Sequence, residues 1–107
     1  MKTLITLNNP DLKNLVFPEE TIKRLERISQ VDWLEDYSKL GDCIGQYDAV
    51  ISSWGSPRLT ADILNRTEKL KFVGHAAGTV LPYVDAEIFS REITVVNAND
   101  MLSRAAA

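Results

Sequence analysis

This sequence predicts an α/β fold with a doubly wound, mainly parallel five-stranded sheet, on three observations. Short apolar runs bounded by turn-formers alternate with amphipathic stretches along the chain. Asp48-Ala-Val-Ile-Ser52 is almost wholly apolar at its centre, as expected of a strand covered on both faces. Polar neutral residues and most glycines collect directly after the apolar runs, where the carboxyl edge of a parallel sheet lies.

Thr3 to Leu7 is the first strand candidate, closed by the turn-formers Asn8, Asn9 and Pro10. A helix follows from about Pro18, since proline suits a first helical position and Glu19 and Glu20 suit the positive end of the dipole. Ile22, Leu25 and Ile28 line one of its faces. Val31 to Leu34 is a second strand, and Tyr37 to Ile44 a short helix with Leu40 and Ile44 four residues apart. Asp48 to Ser52 is the third strand, broken by Ser53-Trp-Gly-Ser-Pro57. Thr60 reads as the N-cap of a helix carrying Ile63 and Leu64. Leu70 to Gly74 is the fourth strand, about Val84 to Ser90 a helix holding Ile88 and Phe89, and Ile93 to Val96 the fifth strand. Such alternation implies parallel βαβ units with right-handed crossovers, hence a flavodoxin-like sheet.

With 107 residues the chain is expected to form one domain with a real core, and its 45% apolar and 25% charged residues are ordinary for a soluble globular protein. No apolar run approaches a membrane span and Met1-Lys-Thr-Leu-Ile5 lacks signal-peptide anatomy, so a cytoplasmic location with no membrane partner is expected. Cys43 is the only cysteine, which rules out a disulfide within the chain and a cysteine-built zinc site; no metal site is expected. The net charge of −3, with scattered basic residues, argues against nucleic-acid binding.

The stretch Leu70-Lys-Phe-Val-Gly-His-Ala-Ala-Gly-Thr79 is the centre of the functional reading. A strand runs into Gly74, Ala76, Ala77 and Gly78, whose small side chains let the backbone turn sharply and bring N–H groups close to an anion. Beside it at the same edge lie Asn8 and Asn9, then Ser52 to Gly55, then Asn97 to Asp100. Amide, hydroxyl and backbone donors of this kind suit a small carboxylate or carbonyl compound, and no nucleophile–base pair is evident among them.

Leu70 to Thr79, the Val84-Asp85 that follows and Ile93-Thr-Val-Val-Asn97 together resemble the N-terminal domain of the D-isomer-specific 2-hydroxyacid dehydrogenases, the family that includes phosphoglycerate and formate dehydrogenases. The resemblance covers nearly the whole chain in order and spacing. It implies a two-domain oxidoreductase passing hydride between NAD or NADP and a small 2-oxo or 2-hydroxy acid. Backbone amides at Ala77 and Gly78, with Thr79 adjacent, would hold the substrate carboxylate; Trp54 and Asn97 are candidates for the cleft wall. The family takes its catalytic Arg, Glu and His and its cofactor glycines from a Rossmann domain, and no GxGxxG occurs here. The expectation is therefore a substrate-side domain over 1–97 and the start of an inter-domain linker helix over 98–107, with no catalytic or cofactor-binding residue of its own. Such a fragment would be inactive alone and, with its partner face uncovered, prone to self-association. Val80-Leu-Pro-Tyr83 and Ala98-Asn-Asp100 depart from the commoner family pattern on the presumed substrate side.

Plainer readings stand beside these. His75 has no carboxylate partner in its motif and reads as structural or exposed before catalytic; Cys43 reads as a core filler. Trp54 could pack under a helix, Ala77 and Gly78 could simply serve a tight turn, and Asn97, Asn99 and Asp85 could be helix caps. A phosphoacceptor receiver domain is excluded by Asn8-Asn9, Ser52-Ser53 and Asn97 where acidic residues and lysine are needed. A flavodoxin proper is excluded by Asn8-Asn-Pro-Asp11 in place of a phosphate loop. A stand-alone small-molecule-binding or interaction module remains the alternative to a dehydrogenase domain.

Overall fold

The computed structural model describes residues 1–76 and 80–97. Five strands, β1 (Lys2–Ile5), β2 (Gln30–Trp33), β3 (Ala49–Ser52), β4 (Phe72–His75) and β5 (Thr94–Asn97), form one all-parallel sheet in the order β2-β1-β3-β4-β5. That is the flavodoxin-like order, with its switch point between β1 and β3. The helices are α1 (Pro10–Val16), α2 (Glu19–Glu26), α3 (Leu40–Cys43) and α4 (Ala61–Leu64), joined by 3-10 turns at Tyr37–Lys39, Ile44–Gln46, Leu81–Tyr83 and Ala86–Ser90.

Alternation along the strands divides the core in two. Leu4, Val50 and Val73 point to one face, where they meet Leu40, Ile44, Leu64, Val84 and Ile88. Ile5, with the partly buried Val31, Trp33 and Ile51, points to the other, against Phe17, Val16, Ile22 and Leu25. Fully burying side chains of this size contributes about 1.5–3 kcal/mol each, so the first face carries most of the fold.

Three expectations need correction. The Asn9-Pro10 pair opens a helix rather than closing a strand with a turn: Lys13 N donates to the Asn9 carbonyl at 2.9 Å, Asp11 N donates to Asn9 Oδ1 at 3.0 Å, and proline takes the first helical position. The expected helix over Val84 to Ser90 is a 3-10 segment, and its Phe89 is 56% exposed. Ile28 lies beyond the end of α2 and is 69% exposed, whereas Ile22 and Leu25 pack inward as expected.

Thr60 caps α4 through Oγ1, which accepts from Ile63 N at 3.3 Å. Asp85 stands at the N-cap position of its own 3-10 segment but makes no side-chain cap there. Its carboxylate serves the neighbouring element instead, accepting from Ala61 N at 2.8 Å and Arg58 Nε at 2.7 Å. Those bonds hold its carboxyl below the ordinary 3.8. Together with Leu59 N donating to the Tyr83 carbonyl at 2.8 Å, they clamp the segment after β3 to the segment after β4.

Candidate functional site

The carboxyl edge is built by register. Ser52 of β3 lies opposite His75 of β4, and His75 lies opposite Asn97 of β5, so three polar residues form one row across the sheet. Each shares the face of the apolar residue two positions earlier, Val50, Val73 and Val95. Of the residues expected to bind substrate, Asn97 is in this row, half-buried and hydrogen-bonded or otherwise engaged. Trp54 lies two residues beyond Ser52 and is 50% exposed, so it does not pack beneath a helix. Ala77, Gly78 and Thr79 lie outside the described residues. Ala76 N, immediately before them, donates to the Ser52 carbonyl at 2.7 Å and extends the ladder by one residue.

The histidine is where the sequence reading is sharpened. His75 is 2% exposed, with Nδ1 2.7 Å from Ser52 Oγ. Either atom of this pair can be the donor: a Ser52 hydroxyl donating to Nδ1 leaves the proton of the neutral ring on Nε2, whereas an Nδ1–H donating to Oγ leaves Nε2 an acceptor. Nε2 is itself buried and has no hydrogen-bond partner among the described residues. A buried orphan of this kind costs about 1–3 kcal/mol. Burial alone lowers the imidazole pKa from its ordinary 6.5, which keeps the ring neutral near pH 7. The Tyr83 ring lies against it, centroid to centroid 4.3 Å and tilted by 32°, and the Tyr83 hydroxyl accepts from Gly55 N at 3.4 Å. Gly55 adopts φ +80, a left-handed turn that glycine alone takes cheaply.

At the switch point, side-chain hydrogen bonds tie the segments after β1, β3 and β4 together. Ser56 Oγ donates to the Thr6 carbonyl and accepts from Ser53 N, while Ser53 Oγ donates to the Ala76 carbonyl at 3.2 Å. Sequence reasoning missed this serine network and the Ser52–His75 pair; the period-2 spacing from Val50 and Val73 was the signal that would have placed the latter on one face.

An apolar concavity of about 290 Å³ lies on the opposite face of the sheet, among Phe17, Ile51, Phe72, Gly74 and Val96, and reaches His75 and Ala76 at the end of β4. No cluster of His, Cys, Asp or Glu among the described residues could hold a metal ion. The segment after β1, Thr6-Leu-Asn-Asn-Pro10, has no glycine with which backbone could approach a pyrophosphate. No helix among the described residues is long and apolar enough to cross a membrane.

No family model and no curated protein matches the chain. Solved structures do match, three of them as follows. The pyruvate reductase of Chlamydomonas reinhardtii superposes with a TM-score of 0.64 at 12% identity, over 92% of this chain and 29% of that one. The D-lactate dehydrogenases of Salmonella and Escherichia coli each superpose with a TM-score of 0.62 at 13% identity, over 92% of this chain and 30% and 31% of theirs. The chain thus spans under a third of each of these proteins, and at such identity the likeness establishes a shared fold.

Proposed function

We infer that the chain is the substrate-side domain of an oxidoreductase acting on a small 2-hydroxy or 2-oxo acid, with the acid carboxylate held by backbone amides of Ala77 and Gly78. The carrying observation is the row Ser52, His75, Asn97 at the carboxyl edge, directly before a segment poor in side chains. Sheet order and the dehydrogenase and reductase structures that share the fold support the same reading. NAD or NADP would be held by a second domain, as the resemblance implies, and the hydride step would belong to that domain.

The test is a titration of the ¹⁵N-labelled chain with pyruvate. The amides of residues 76–79, with those of Trp54 and Asn97, are expected to shift along one saturable curve. Shifts that are absent, or confined to the opposite face around Ile51 and Phe72, overturn the reading.

A further inference from the structure

Among the described residues two buried side-chain nitrogens lack a hydrogen-bond partner, His75 Nε2 and Arg91 Nε. Arg91 is explained locally, because its guanidinium is anchored through its other nitrogens on the Leu64 carbonyl, Asn65 and Glu87, beyond the amino end of β5. His75 is different. Its surroundings otherwise satisfy one another: Ser52 is spent on Nδ1, Ser53 on the Ala76 carbonyl and Ser56 on the Thr6 carbonyl. Buried polar groups in folded proteins are overwhelmingly paired, and a lone exception at a candidate site calls for a partner from outside the fold.

Its position selects the partner. His75 stands in the row with Ser52 and Asn97, contacts Tyr83, which reaches the loop of Trp54 and Gly55, and precedes Ala77 by two residues. A Ser52 hydroxyl that donates to Nδ1 gives the ring an Nε2–H whose missing partner is an acceptor. We propose that His75 Nε2–H is a binding group for the small acid, donating to its carbonyl or carboxylate oxygen, with Ser52 as the positioning residue that fixes the tautomer. This rests on the functional reading above and extends it to a side chain that the resemblance does not assign. Because Nε2 is closed off in the free fold, the ligand oxygen reaches it by local displacement of the groups around it, the Tyr83 ring among them.

His75 is the only histidine, so its imidazole signals need no assignment. Two-bond ¹H–¹⁵N spectra of the 107-residue chain should show the neutral ring protonated at Nε2. Added pyruvate should shift Nε2 on the same curve as the amides of residues 76–79. His75→Phe, which keeps bulk but loses the donor, should weaken pyruvate binding about tenfold, and His75→Gln should recover part of the loss. Ser52→Ala should mix the tautomers. Amide shifts without an imidazole shift would overturn the role of His75 while leaving the functional reading in place, as would a ring protonated at Nδ1. No shift at either place would remove both. Should His75→Phe fail to fold, the wild-type imidazole titration decides alone.

Discussion

At the residue scale His75 couples the site to stability. Burial lowers its pKa below 6.5, so the unfolded chain binds a proton that the folded chain refuses. The associated stability is complete above the unfolded value and is lost progressively as pH falls from about 6.5 toward the lower folded value. Urea midpoints measured between about pH 7.5 and pH 5.5 should therefore fall on acidification, and His75→Gln should flatten that slope. Asp36, Asp48 and Asp85 are also shifted, each downward from 3.8 by hydrogen bonds to their carboxylates, so their effect belongs to more acidic solutions and does not overlap. The residue-level reading went far enough to single out His75 as neighbour to the turn, but motif reading looks along the chain for a partner. Ser52 lies 23 residues away and meets it only through strand register.

At the scale of elements, strands were more legible than helices because each strand carries its own apolar run. Asp48 to Ser52 could be read outright, its centre being apolar on both sides of the pleat. Helix ends were harder, because asparagine and proline serve turns and caps alike; Asn9 and Pro10 show the second use. Asp85 shows a further ambiguity, since a residue at a cap position can spend its carboxylate on another element. Thr60 behaves as read, and Thr60→Ala should cost about 1 kcal/mol through the lost cap. Leu64→Ala, four residues on and fully buried, should cost about 2–5 kcal/mol. Urea denaturation of the two variants separates these magnitudes, and near-equal losses would mean that α4 is held by its cap rather than by packing.

For the whole molecule, the alternation of strands and helices disclosed the parallel sheet, while the uneven covering of its faces was hidden. With one crossover hand, the step from β1 to β2 runs opposite to the steps out to β3, β4 and β5, so it falls on the opposite face. Among the described residues, α1, α2 and Phe17 between them cover that face, which leaves Phe72, Ile28 and Met1 exposed around two adjoining apolar concavities of about 290 and 320 Å³. The folded chain should accordingly enhance the fluorescence of the dye ANS without denaturant, and Phe72→Ser should diminish that signal while the urea transition stays cooperative. Absence of enhancement would mean that the strip is covered in solution.

The shared direction of the strands also bears on mechanics. Met1 sits at the amino edge, where its carbonyl accepts from Gln30 N at 2.9 Å, and Asn97 ends β5 at the other edge. Tension applied between residues 1 and 97 runs along the strands and drags β1 and β5 in opposite senses. The ladders β1–β3, β3–β4 and β4–β5 are then loaded in shear, many bonds at once. Tension between residues 1 and 30 instead peels β1 from β2 one bond at a time, making the sheet strong along one line of pull and weak along the other.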